Sequence, residues 1–294
     1  MKKFLLLCLI VCFNLYSQRE EVQIIVPVED NFELEVKTII SIDSLDTTRF
    51  IFKYTLISSP SSGQPVRLFE ISPPFGKDGD TSIAPNHWST LGTPRRSSWN
   101  SNGERYDLLP GDTLSGFVFI IKELPDISYW YAEGSDTIYF PEIRGGPPYI
   151  SEKKWVRDSL NKIYFRKTPF GPGKYGYTVG PGPLPPGWWK RWSWGDSTYF
   201  VSDSGFYHLI ERLNKCFELN WLKQRARDHL LRIYERALVN YRTHGIEHAQ
   251  RVLNQAISYL KRERGKLIFD EGFYILYYRT IFVRDHLWGR GEKK

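Results

Sequence analysis

The sequence predicts an α+β multidomain chain, with an antiparallel β-sandwich of Ig-like type followed by a C-terminal α-helical bundle. Three observations predict it. Over residues 22–134 apolar side chains recur with period two, the spacing of strands that bury one face. Over residues 222–287 they recur in steps of three and four, the spacing of helices that bury one stripe. Between them lies a stretch dense in Gly, Pro and aromatic residues. The expected divisions are a signal peptide at 1–18, a sandwich at 19–145, a linker at 146–202 and a helical bundle at 203–294.

At the start, Lys2 and Lys3 precede an apolar run over residues 4–13, and small Ser17 stands before Gln18. That is the make-up of a secretory signal peptide, and the run is shorter than the ~20 apolar residues of a spanning helix. The expectation is a secreted protein, or one associated with the periplasm or outer envelope, after cleavage. Removal of 1–18 takes away Cys8 and Cys12 and leaves Cys216, which has no cysteine to pair with in its own chain. With Leu213 and Phe217 nearby it reads as a buried, inert thiol. The core must then supply the stability, and the chain is long enough to build one.

The strand region opens with Phe32, Leu34, Val36 and Ile42 as one run, then Phe50, Phe52, Tyr54 and Leu56 as a second. Val66, Leu68 and Ile71 continue it; residues 114–121 and 127–131 follow. Turn residues separate the runs: Pro60-Ser61-Ser62-Gly63, Lys77-Asp78-Gly79-Asp80, Asn102-Gly103 and Pro110-Gly111-Asp112. Pro110-Gly111 turns the chain, Thr113 starts a strand, and Gly116 permits a bulge or a close backbone approach. Phe117 and Phe119 share a face and should fill the core. Trp99-Asn100, the run Leu109-Pro110-Gly111-Asp112-Thr113-Leu114-Ser115-Gly116-Phe117-Val118-Phe119, and Tyr131-Ala132-Glu133-Gly134 together resemble a pattern in sandwich-like domains of exported bacterial proteins of unknown function.

In the middle, Gly145-Gly146-Pro147-Pro148 breaks the chain and residues 162–166 form a short apolar run, a candidate strand. The proline density of residues 171–183 forbids a regular helix and predicts an extended linker. Within it, Tyr177-Thr178-Val179-Gly180-Pro181 resembles the connector between sandwich and helices in the same exported proteins. Then come Trp188, Trp189, Trp192 and Trp194, interleaved with Lys190 and Arg191. Two readings fit them: an aromatic platform for sugar rings or another flat partner, and a plug of large rings between domains.

The final region divides into four helices, over 206–219, from 222 to about 244, over 246–264, and from Asp270 to a point before Gly289. Asp203 or Ser204 is the expected first cap, and Gly245 and Gly265 punctuate the runs. Leu219-Asn220-Trp221-Leu222, Ala249, Val252-Leu253, Ala256-Ile257, Leu260 and Gly265-Lys266 resemble a FIMAH-type C-terminal module of exported bacterial proteins. The resemblance covers about the last third of the chain, rests on packing positions, and implies an accessory or attachment role with no catalytic residue to carry over. From residue 205 onward 18 Lys and Arg face 10 Asp and Glu. This basic excess fits an anionic surface, and equally a solvated helix exterior.

Chemistry-bearing motifs are sparse. His244 and His248 are four apart, but Gly245 between them divides two helices, and the zinc-protease Glu after the first His is missing. Neither a phosphate-binding glycine loop nor a Gly-x-Ser-x-Gly elbow occurs. Glu133, Asp136 and Glu142 are carboxylates near the end of the sandwich. The expectation is a non-catalytic exported protein with a structural or interaction role, its partner a cell-surface protein or polysaccharide. No cofactor, metal, nucleotide or nucleic acid is expected. The alternative is a carbohydrate-binding accessory protein that uses Trp188, Trp189, Trp192 and Trp194.

Overall fold

The computed structural model describes residues 31–72, 81–93, 96–134, 173–182, 189–192 and 197–288. The strands are β1 (Leu34–Ile42), β2 (Phe50–Ser58), β3 (Val66–Ser72), β4 (Thr81–Ile83), β5 (Trp88–Thr93), β6 (Arg96–Ser101), β7 (Thr113–Ile121), β8 (Leu124–Gly134) and β9 (Lys174–Gly182). They form two antiparallel sheets, one in the order β1-β2-β7-β4 and the other in the order β5-β6-β3-β8-β9. A hairpin of β10 (Trp189–Trp192) and β11 (Ser197–Phe200) precedes four helices: α1 (Asp203–Glu218), α2 (Gln224–His244), α3 (Ile246–Glu263) and α4 (Asp270–Asp285).

The inward residues of the two sheets meet in an aromatic core. Phe50, Phe52, Tyr54 and Leu56 alternate inward along β2 and are all buried, as their period-two spacing requires. Tyr54 and Phe117 from the first sheet meet Phe69 and Trp99 from the second, at ring separations of 5.4–6.2 Å. The buried indoles keep their hydrogen bonds: Trp99 Nε1 donates to the carbonyl of Ile83 and Trp88 Nε1 to that of Tyr106. Truncating any of these core rings would cost about 3–5 kcal/mol. Gly116 sits where β2 and β7 lose register, between the Tyr54–Phe117 and Thr55–Ser115 pairs. Its φ of 107° is what the inserted residue of that bulge demands. On β3 Val66 and Ile71 are buried as expected, and a second register shift between Val66 and Leu68 leaves Leu68 half-buried and puts Phe69 in the core in its place.

Two segments differ from their sequence expectation. Lys174–Gly182, read as an extended linker, is an edge strand in register with the whole inner length of β8. An edge position tolerates Pro181 because one side of the strand needs no ladder donor. After Lys174 its inward residues, Gly176, Thr178, Gly180 and Gly182, are small, and a side chain at Gly176 would collide with the Trp130 indole. At the helical end, Ser202 rather than Asp203 or Ser204 occupies the first cap, and Asp203 and Asp270 lie in first turns, where negative charge suits the helix dipole.

α4 is the element the others surround. Its buried residues, among them Phe273, Ile275, Leu276, Arg279 and Val283, point in all directions, as in a helix enclosed on every side. It packs against α1, α3, β8, β9 and β1, and Tyr278 meets Phe50 edge-on at 5.0 Å. One buried apolar cluster therefore runs from the sheets into the helices. The connectors of the helices also pair. Lys223 N donates to Leu267 O and Phe269 N to Trp221 O, each at 2.9 Å. Asn220 ends α1 with a φ of 60°, a left-handed conformation that Asn tolerates. The packing motif residues of 219–222 and 265–266 lie in these two paired connectors.

Candidate binding surface

Side chains alternate across β8 and β9, so Ser128, Trp130 and Thr178 face inward while Tyr129, Tyr175 and Tyr177 face out. The inward assignment follows from Thr178, whose hydroxyl bonds that of Thr38 on the opposing sheet at 2.7 Å. Outside, Tyr129 pairs directly with Tyr177, their ring centroids 4.7 Å apart, and Tyr175 lies 6.5 Å from Tyr129. Tyr175 and Tyr177 are 44% and 38% exposed. Tyr129 donates to the Tyr177 hydroxyl at 3.4 Å, and that bond, with partial burial, holds its phenol above the ordinary range. The Tyr129 phenol therefore stays neutral at physiological pH.

The fourth tyrosine on this face, Tyr131, is buried and fixed. Its hydroxyl donates to Glu133 and receives the Gly173 amide. Glu133 is thus held as an acceptor, while Asp136 and Glu142 lie outside the described residues. Lys215 of α1 pairs with Glu218 at 2.9 Å and is near enough for its charge to act on Tyr129 and Tyr177. The result is a row of phenol rings with hydroxyls at the rim. Such a surface offers apolar ring faces for stacking and polar edges for hydrogen bonds.

Trp189 and Trp192 stand at the two ends of β10, opposite Phe200 and Ser197 of β11. Trp188 and Trp194 lie outside the described residues. Sequence reasoning passed over Tyr129, Tyr175 and Tyr177. The signal was present in the alternation Tyr175-Gly176-Tyr177, masked by the prolines that follow it.

A second polar constellation is buried except for the partly exposed Arg212. Arg279 of α4 is 0% exposed; its Nε donates to Pro125 O at 2.8 Å and its Nη2 lies 2.9 Å from Asp126 Oδ2. Arg212 Nε reaches Asp126 Oδ1 at 2.8 Å, an ion pair whose N–H is not aligned for a hydrogen bond. Arg279 Nη1 donates to His208 Nε2 at 2.7 Å. Burial pushes His208 down to about 3, helped by Arg279 and Arg212, so the ring is neutral and its Nε2 is free to accept. Burial also pushes Arg279 down to about 10, which leaves it charged at neutral pH. The junction between sheets and helices is therefore held by ions as well as by packing. Cys216 is fully buried beside it, and burial pushes its thiol far above the ordinary range.

The remaining histidines do not converge. His244 and His248 rings are 5.3 Å apart across the Gly245 break, His87 stacks on Tyr106, and His286 bonds the carbonyl of Phe282. Among the described residues no three His, Cys, Asp or Glu side chains are grouped to hold a metal ion, and no helix is long and apolar enough to cross a membrane. No protein-family model matches the chain, and no curated protein matches it.

Proposed function

We propose that the chain is an exported, non-catalytic binding protein of the bacterial envelope or exterior that holds a saccharide on the outer face of β8 and β9. In this reading the two sheets are an Ig-like β-sandwich and the four helices a FIMAH-like bundle with an attachment role. The observation that carries it is the row Tyr129, Tyr175 and Tyr177 across two paired strands, with Tyr175 and Tyr177 exposed and Tyr129 half-buried between them. A pyranose presents a flat C–H face that stacks on such rings, and its hydroxyls suit the phenol rim. The signal-like start of the chain supports export.

Affinity electrophoresis in gels containing a panel of polysaccharides tests this. Wild type should be retarded by at least one of them. Tyr177→Ala and Tyr175→Ala should each weaken retardation about 2- to 10-fold, as ~0.5–1.5 kcal/mol per stacked ring implies. Unchanged retardation in both variants, with unchanged circular dichroism, rejects the assignment. Trp189→Ala and Trp192→Ala in the same gels decide whether the tryptophan segment carries the binding instead.

A further inference from the structure

Arg225, His229, Arg232 and Arg236 succeed one another along α2 at intervals of four, three and four, which places them on one side of the helix. α3 faces that side, and a cleft of about 590 Å³ opens between the two helices. His229 and Arg236 line it from α2; Ser258, Tyr259 and Arg262 line it from α3, with Ile233 as its apolar floor. The Tyr259 ring is met by the His229 imidazole at 4.1 Å and by the Arg262 guanidinium at 5.2 Å.

The charged side chains that line this cleft, Arg236 and Arg262, are of one sign, and the carboxylate of Glu263 lies outside the lining. Arg236 donates to the neutral Gln255 amide, and Arg232 to a backbone carbonyl. Among the described residues neither they nor Arg225 form an ion pair. Glu263 is the carboxylate that acts on His229, and Arg262 Nε holds it at 2.8 Å. Desolvation and the guanidiniums of Arg232, Arg262 and Arg236 together push His229 below its ordinary range. The helices thus concentrate positive charge around a concave, partly apolar space of the size small ligands occupy.

We propose that this cleft binds the tetrahedral oxyanion of a phosphate monoester. Arg236 and Arg262 would donate to the phosphate oxygens in the forked geometry that guanidinium favours. The organic part would rest on Ile233 and Tyr259. Free phosphate monoesters and the monoester headgroup of phosphatidate share this chemistry. The proposal stands apart from the saccharide surface, which lies on the sheets.

The test follows the His229 ring by NMR in the full chain. A bound dianion favours imidazolium, so glycerol 3-phosphate should shift His229 saturably and raise its titration midpoint by about one pH unit, reflecting an opposite charge placed close to the ring. The Arg236→Gln/Arg262→Gln variant, both changes lying on exposed helix faces, should keep its circular dichroism and weaken binding at least tenfold. Co-sedimentation with phosphatidate vesicles supplies the second arm. Vesicle binding that is lost in the double variant and competed by glycerol 3-phosphate supports the cleft with a lipid source. Saturable binding of glycerol 3-phosphate without vesicle binding supports it with a soluble source. The absence of a saturable His229 shift with glycerol 3-phosphate, or equal affinity in the double variant, overturns the proposal.

Discussion

Tyr54 carries its hydroxyl into the aromatic core, where no described group meets it and burial raises its pKa far above the ordinary range. A buried hydroxyl without a partner costs about 1–3 kcal/mol. Tyr54→Phe keeps the ring contacts with Phe69 and Trp99. It should raise the free energy of unfolding by about 1 kcal/mol in a urea titration; a decrease would mean the hydroxyl is bonded after all. His208 acts on stability through pH. Its pKa is about 3 when folded against an ordinary 6.5, so above pH 6.5 neither state binds the proton and stability is level. As pH falls from 6.5 toward 3 only the unfolded chain takes up the proton, and unfolding should become easier by about 1.4 kcal/mol per pH unit. In His208→Gln that dependence should be flatter by one proton across the same window, read from urea titrations at pH 7, 6 and 5. These two residues differ in how far the sequence announced them. Tyr54 is inward by its place in an alternating strand. The role of His208 depends on Arg279, 71 positions away, which no local pattern joins to it.

At the level of elements, Gly272 separates two opposing effects. A helix interior ordinarily prefers Ala over Gly by about 1 kcal/mol. Here a β-carbon would stand 2.8 Å from the carbonyl oxygen of Trp221, and that oxygen already accepts the Phe269 amide that anchors the start of α4. The carbonyl cannot withdraw without losing that bond, so Gly272→Ala should destabilise by about 1–3 kcal/mol. Thermal melts give the sign directly, and a raised melting temperature would show α4 able to shift away from the connector. The first three helices were legible: steps of three and four set their faces, and Gly245 and Gly265 marked two of the breaks, with φ values of 85° and 74°, whereas α4 is buried on all sides and has no single face for such spacing to mark. β9 was not, because Pro and Gly carry the same message in a linker and in an edge strand whose inward side must stay small. The partner strand decides between them, and β8 lies more than forty residues earlier. The tyrosine face was hidden with it, since the rings become a row only when Tyr177 is brought opposite Tyr129.

For the molecule as a whole, the question is whether sheets and helices unfold separately or together. A linker between independent units would allow two transitions. Instead α4 is enclosed by both, and Arg279 inserts a buried charge between Asp126 and Pro125 of β8 and His208 of α1. Taking one partner from a buried ion pair costs about 3–5 kcal/mol, because the charge left behind stays desolvated. In Arg279→Leu the Asp126 carboxylate keeps the Arg212 pair, which places the loss toward the lower end of that range. Hydrogen exchange followed by mass spectrometry across a urea series resolves the two parts. In the wild type, amides of β2 and β7 and amides of α2 and α3 should open at one urea concentration, as in a single cooperative unit. In Arg279→Leu the helical amides should open at lower urea than those of the strands, because the helices lose their ionic seat while the aromatic core between the sheets keeps its contacts. Two separate openings already in the wild type would show that the shared apolar cluster and the ion pair do not couple the two parts, and α4 would then be a docked surface rather than the centre of one body.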